Sequence, residues 1–224
     1  MVAIVIAAFV IFFCLINPVF AKRITTELCD NPKYFCYVVK RGDTWQKLFK
    51  EPEQVNLVMR INRMNTRLHK GMTIAIPKTI SNDPLLYSPL PNDIDPPGEK
   101  VIIVSLGQLA FGAYGANGRL EYWGPISGGK SYCADVRSRC STPPGRYRIY
   151  TKQGSGCFST KFPVGKGGAP MPYCMFFKGG FALHGSPTVP GYHDSHGCVR
   201  LFTNDAKWLN QEFDDGHTRV IVKP

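Results

Sequence analysis

The chain has 224 residues, of which 44% are hydrophobic and 19% charged, an ordinary globular composition that excludes a mainly disordered protein. Its 27 Lys and Arg against 16 Asp and Glu leave a net charge of +11. Such a surplus favours polyanionic surroundings, but it does not choose among nucleic acid, anionic lipid, an acidic polymer and a merely solubilising surface. The charge is uneven along the chain: residues 22–78 carry 12 basic and 5 acidic side chains, residues 79–100 carry 1 and 4, and residues 101–224 carry 14 and 7.

The first segment, residues 2–16, is VAIVIAAFVIFFCLI without a charge, followed by Pro18 and by Val19-Phe20-Ala21 ahead of Lys22 and Arg23. It predicts a signal peptide over residues 1–21, cleaved after Ala21, and hence export to the periplasm or cell envelope. An uncleaved membrane anchor is the alternative. Export would place the other seven cysteines in an oxidising compartment, where thiols pair. An odd number leaves one free. Cys29 with Cys36, Cys133 with Cys140 and Cys157 with Cys174 are near neighbours in sequence, which leaves Cys198. Sequence does not exclude other connectivities, so local pairing is an expectation.

Residues 37–77 follow a strand, helix, helix, strand rhythm. Tyr37-Val38-Val39 is β-rich, and Asp43 with Gln46 three residues later has the form of a capping box opening a helix through Phe49. Pro52 can begin a second helix with Leu57, Ile61 and Met64 at helical spacing, and Gly71 turns the chain into Thr73-Ile74-Ala75-Ile76-Pro77. The string YVVKRGDTW at 37–45, Asn62 and GMTIAIP at 71–77 resemble a LysM module, which implies a peptidoglycan- or chitin-binding unit over residues 37–78. The bland alternative is a helical hairpin that only packs on its neighbour. Residues 79–99 hold five of the 18 prolines and no apolar periodicity, which predicts a linker.

From Val101 the pattern becomes β-rich. Strands are expected over 101–106, 109–114, 120–126, 145–151, 175–177, 181–184 and 218–222, with Asn117-Gly118 as a hairpin turn. One helix is expected, capped by Thr203 or Asn204, with Ala206, Leu209 and Phe213 on one face. The second domain, residues 100–224, should therefore be mainly β, a sandwich or rolled sheet.

The sharpest signal is Ser195-His196-Gly197-Cys198-Val199-Arg200, preceded by Leu183-His184-Gly185-Ser186. A thiol with an ordinary pKa is only a few per cent thiolate at neutral pH, so a nucleophilic cysteine needs a histidine to take its proton or stabilise the anion. A histidine on a neighbouring strand can approach the sulfur across the sheet. Gly185 and Gly197 let backbone N–H groups come close to a carbonyl, as an oxyanion hole requires. Arg200 is suited to hold a carboxylate. The group reads as acyl transfer through a thioester. A zinc site built from His184, His193, His196 and Cys198 is one alternative, and a buried inert thiol is another. His69 and His217 are expected in solvent, and Trp123 and Trp208 in the core.

Together with Thr142-Pro143-Pro144-Gly145-Arg146-Tyr147-Arg148-Ile149, these strings resemble an L,D-transpeptidase catalytic domain of the YkuD type over roughly residues 100–223. The resemblance implies that Cys198 is the nucleophile and His184 the proton acceptor and donor. His196 and Ser195 would orient the site, and Gly197 would place backbone groups around the thiol. Arg200, Gly185 and Ser186 would bind substrate. It implies attack on a peptidoglycan tetrapeptide stem, release of terminal D-Ala, and transfer to an amine as a 3-3 cross-link or a protein anchor. No metal, organic cofactor or nucleic acid is expected. The competing classes are a non-catalytic wall-binding protein and an L,D-carboxypeptidase using the same thiol. Ten residues separate His184 from Ser195, fewer than in many members of that family, which implies a short active-site loop.

Overall fold

The computed structural model describes residues 24–224 apart from 164 and 166, so the expected signal segment over 1–21 lies outside the described residues. The first described elements are α1 (Ile24–Cys29) and β1 (Tyr34–Val38), joined by the Cys29–Cys36 pair with Cα atoms 5.7 Å apart. Next come α2 (Trp45–Leu48), α3 (Pro52–Ile61) and β2 (Thr73–Pro77), with β1 and β2 antiparallel and Tyr37 opposite Ile74. The expected order is present, but the cap differs. Thr44 accepts the Lys47 N–H at 3.2 Å and caps α2, whereas Asp43 accepts from the Lys40 N–H and the Tyr37 hydroxyl and closes the preceding turn.

Pro52 opens α3, where its missing N–H costs no intrahelical bond. Val55, Val58, Trp45, Phe49, Ile74 and Ile76 form a small core of their own. At the C-terminal end of α3, Asn62 donates to the Val58 and Ala75 carbonyls and accepts the Ala75 N–H, each at 2.8 Å. One buried amide thereby ties the helix to β2.

The proline-rich segment over 79–99 is a packed strap. Trp123 Nε1 donates to the Pro84 carbonyl at 2.6 Å, the Tyr114 hydroxyl to the Pro91 carbonyl at 2.8 Å, and the Leu120 N–H to the Asn92 carbonyl at 2.7 Å. Leu85, Tyr87, Leu90 and Ile94 cover the cluster of Val101, Ile103, Tyr114 and Trp123. An extended strap contacts its support at irregular intervals, so its apolar residues show no period.

The remaining strands are β3 (Val101–Ser105), β4 (Ala110–Tyr114), β5 (Leu120–Ser127), β6 (Gly145–Arg148), β7 (Thr151–Lys152), β8 (Phe158–Ser159), β9 (Ala169–Pro170), β10 (Met175–Lys178), β11 (Phe181–Gly185), β12 (Val199–Leu201) and β13 (Arg219–Lys223). Nine of them form one curled sheet in the order β6-β13-β3-β4-β5-β12-β11-β10-β7; β3/β13 and β11/β12 are the parallel pairs. β3 reads Val-Ile-Ile-Val-Ser without alternation because it is buried throughout. Ile102 and Val104 face the main core, while Val101 and Ile103 face the strap.

The main core is closed by α4 (Thr203–Trp208) and the π-helical turn Leu209–Phe213, whose Ala206, Leu209 and Phe213 pack with Ile126, Leu183, Val199 and Leu201. Each such fully buried aliphatic side chain stabilises the fold by about 1.5–3 kcal/mol. The helix starts one position earlier than expected: Phe202 occupies the cap without a side-chain hydrogen bond, and Thr203 is already helical. Trp123 is in the core as expected, and Trp208 stacks on Tyr122 with centroids 4.5 Å apart.

α3 is fixed to the sheet by a buried polar knot. Arg60 donates to Asp205 Oδ1 at 2.6 Å, to the Tyr122 hydroxyl at 3.0 Å and to the Trp123 carbonyl, while Tyr122 donates to the same Asp205 oxygen at 2.7 Å. Burial opposes the Arg60 charge most strongly, but the Asp205 carboxylate and the Tyr122 hydroxyl together outweigh it and raise the Arg60 pKa. Gly124 permits this approach, because a Cβ there would stand 2.2 Å from Asp205 Oδ2.

Candidate active site

The parallel pairing of β11 and β12 sets Leu183 opposite Val199 and His184 opposite Arg200. Leu183 and Val199 both point into the main core. Alternation along the strands therefore turns Ala182, His184, Cys198 and Arg200 to the other face. Cys198, just before β12, packs against the cluster of Ala182, Met171 and the Cys157–Cys174 pair. His184 projects from the same face of the sheet.

His184 is 6% exposed, and its Nδ1 lies 2.9 Å from the Gly185 carbonyl oxygen. A carbonyl only accepts, so this contact places the proton on Nδ1 and leaves Nε2 as an acceptor. Burial lowers the His184 pKa to about 4, with the Arg200 charge acting in the same direction, and the ring is neutral at physiological pH. The Cys198 thiol contacts the Gly180 carbonyl at 3.6 Å, and burial pushes its pKa up. The resting pair is thus a neutral thiol and a neutral imidazole.

Between His196 and Cys198 the backbone turns. Gly197 has φ +121°, and a Cβ at this position would stand 2.5 Å from the Phe181 ring, so a residue without Cβ is required there. The turn carries His196 away to Asp135, whose Oδ2 lies 2.7 Å from Nε2, and the ring stacks on Phe162 with centroids 5.1 Å apart. His193 Nδ1 accepts the Gly128 N–H at 3.0 Å. The three rings of the zinc alternative thus have three separate partners. Among the described residues, Cys133, Asp135 and His196 bring a sulfur, a carboxylate and an imidazole together, but Cys133 is paired with Cys140, which removes its thiolate.

Ser195 is buried and braces the turn from inside: its Oγ donates to the Cys198 carbonyl at 2.5 Å and accepts the Gly197 N–H at 3.0 Å. Thr142 braces it from outside, donating to the Gly197 carbonyl at 2.7 Å and accepting the Gly129 N–H at 2.9 Å. The Gly185 N–H is bonded to the Pro172 carbonyl at 2.8 Å. The amides of Gly185 and Gly197, which sequence offered to an oxyanion, therefore already have acceptors. What both glycines give is close packing, since a Cβ on Gly185 would meet Thr203 Cα at 3.0 Å.

Arg200 donates to Asp194 Oδ2 at 3.2 Å, and Lys130 Nζ lies 3.0 Å from Asp194 Oδ1. The guanidinium keeps 21% of its side chain exposed. Ser186 Oγ accepts the Thr188 N–H at 3.1 Å and so folds back on its own loop. Asp135, Thr142, Lys130 and Asp194 were not singled out from sequence. For Thr142 a signal existed, because Thr142-Pro143-Pro144-Gly145 belongs to the strings that carry the family resemblance; an isolated acid in a loop offers none.

The cysteine pairs are the local ones expected, with Cα separations of 5.9 Å for Cys133–Cys140 and 6.1 Å for Cys157–Cys174; Cys198 is free. His69 and His217 are exposed.

The described residues thus form a curled, mainly β sheet with a free cysteine and a buried neutral histidine on one face. Residues 99–222 match the YkuD family, the L,D-transpeptidase catalytic domain. This match covers more than half of the chain, and the chain belongs to that family. Among solved structures it is similar to an L,D-transpeptidase from Xylanimonas cellulosilytica, at 24% identity and TM-score 0.55 over 76% of this chain and 79% of that one. It is also similar to L,D-transpeptidases from Stackebrandtia nassauensis, at 26% identity and TM-score 0.46, and from Mycobacterium tuberculosis, at 23% and 0.45. Each of these two matches spans 56% of this chain, and they cover 56% and 57% of those chains. No curated protein matches the chain.

Proposed function

We propose that this chain is a peptidoglycan L,D-transpeptidase of the cell envelope that forms a thioester on Cys198. The observation that supports this most directly is the tautomer of His184: its Nδ1–H is held by the Gly185 carbonyl, which leaves Nε2 free to take a proton on the face that carries the thiol. With donor bound, Sγ attacks the carbonyl of the third stem residue as the thiol proton passes to His184 Nε2. The tetrahedral intermediate collapses, the C–N bond to D-Ala breaks, and His184 returns the proton to the departing amine.

An acceptor amine then attacks the thioester. Its proton moves to His184, the C–S bond breaks, and the proton returns to sulfur. A neighbouring stem gives a 3-3 cross-link, a protein amine gives anchoring, and water gives carboxypeptidase activity.

The elevated Cys198 pKa and the depressed His184 pKa mean that the thiolate forms as the substrate reacts, not beforehand. Ser195, Thr142 and Gly197 hold the turn that aims Sγ, and the Asp135–His196 pair holds the turn's other end. Arg200 lies at the donor end, where it can exchange Asp194 for a stem carboxylate. The unit over 37–78 is read as a LysM-like wall-binding module and residues 1–21 as the signal that delivers the enzyme to the envelope.

Mass spectrometry of muropeptides after incubation with purified protein tests this reading. Loss of D-Ala with appearance of a 3-3 dimer supports it, and unchanged muropeptides overturn it.

A further inference from the structure

Between His184 and Ser195 the chain makes a short loop that links the two halves of the catalytic site. Its Ser186 N–H is held by the Leu201 carbonyl at 2.9 Å, and its Thr188 carbonyl accepts from Arg200 at 3.5 Å. The rest of the loop is held from the other unit of the protein. Asn65, just after α3, donates its backbone N–H to the Val189 carbonyl at 2.9 Å, accepts the Val189 N–H on Oδ1 at 2.8 Å, and donates from Nδ2 to the Ser186 carbonyl at 3.1 Å. Its neighbour Met64 forms an antiparallel bridge with Pro190.

One asparagine thus mimics a strand edge, supplying donor and acceptor to a loop that lacks a strand partner of its own. Asn65 is itself held in place. Arg60 is locked to Asp205 and Tyr122, and Arg63 donates to the Gln108, Arg60 and Ile61 carbonyls with its guanidinium 4.8 Å from the Trp123 ring centroid. Module and sheet therefore meet through hydrogen-bonded contacts, and the loop is held from both.

We infer that Asn65 is a positioning residue for donor binding: it fixes residues 186–189 from the N-terminal module and, through the Thr188 carbonyl, sets the orientation of the Arg200 guanidinium. The inference rests on the transpeptidase reading of the site. It makes the N-terminal unit a structural part of the donor subsite in addition to any role in wall binding. Aspartate at this position keeps the acceptor for Val189 but loses the donor for Ser186; alanine loses both.

The test uses the full chain with Asn65→Ala and Asn65→Asp, measuring kcat and KM for D-Ala release from a tetrapeptide stem. Alkylation of Cys198 by iodoacetamide and exchange of the Val189 amide are measured alongside. Loss of two hydrogen bonds raises KM by about 10-fold in Asn65→Ala. Asn65→Asp gives a smaller rise. Alkylation stays within about twofold of wild type, and Val189 loses protection in Asn65→Ala alone.

An unchanged KM in both variants, with the wild type turning over, overturns the inference and leaves the transpeptidase reading standing. Alkylation that slows in step with the rise in KM also overturns it, because the effect is then general to the site. If Asn65→Ala does not fold, Asn65→Asp decides by the same criteria. A wild type that releases no D-Ala overturns the transpeptidase reading and this inference with it.

Discussion

His196 and Asp135 stand 61 positions apart in sequence, and their side chains meet at 2.7 Å between Nε2 and Oδ2. The contact ties the turn before Cys198 to a loop that the Cys133–Cys140 pair clips shut. Its main effect on Asp135 is a hydrogen bond that lowers the carboxyl pKa. Asp135→Asn should slow acylation of Cys198 by about 10-fold, the effect of one charge-assisted hydrogen bond, and should add little in a His196→Ala background. Acylation rates of the two single variants and the double variant check this. The depressed Asp135 pKa places the loss of the pair in acid, as pH falls through the folded-state value below the ordinary aspartate range.

The His184 ring makes a prediction about pH. Its pKa of about 4 against an ordinary 6.5 means that the unfolded chain binds more protons between these values. Stability contributed by the neutral ring is complete above pH 6.5 and declines as pH falls toward 4, by about 3 kcal/mol in all. Denaturant titrations of wild type and His184→Gln across this window should differ in slope accordingly. Acylation should stay base-competent down to about pH 4.

His184→Ala should slow acylation by about 10²–10⁴-fold, the usual contribution of a general base. Stopped-flow acylation by a carbapenem is the measurement, and an unchanged rate reassigns the base.

Arg60 and Asp205 form a buried ion pair with side-chain exposures of 6% and 1%. Arg60→Ala or Asp205→Ala alone leaves a charge without its partner and should cost about 3–5 kcal/mol. Removing both with apolar residues, Arg60→Met with Asp205→Leu, should recover much of that loss. Thermal melts of the three proteins decide it.

Much of the fold was legible in the sequence because it follows from burial and turn chemistry. β3 showed as an unbroken apolar run, Asn117-Gly118 as a turn, and the free Cys198 as the cysteine left over from three local pairs. The cap of α2 was misplaced by one residue because Asp43 and Thr44 both accept backbone hydrogen bonds and only the folded turn decides between them, and that of α4 because Phe202 caps it with no side-chain hydrogen bond to signal it. The strap over 79–99 looked like a linker because its apolar contacts and its side-chain and backbone hydrogen bonds fall at irregular spacing. Asp135 and Asn65 were invisible for a different reason. Each acts on a residue more than sixty positions away, and no local pattern encodes such a meeting.

In the proposed mechanism Cys198 carries the acyl group. Intact-mass measurement of the protein after incubation with a carbapenem, run beside Cys198→Ala, reads this out. One stoichiometric adduct is expected on the wild type and none on the variant. An unmodified wild type, or an adduct that survives in Cys198→Ala, contradicts it.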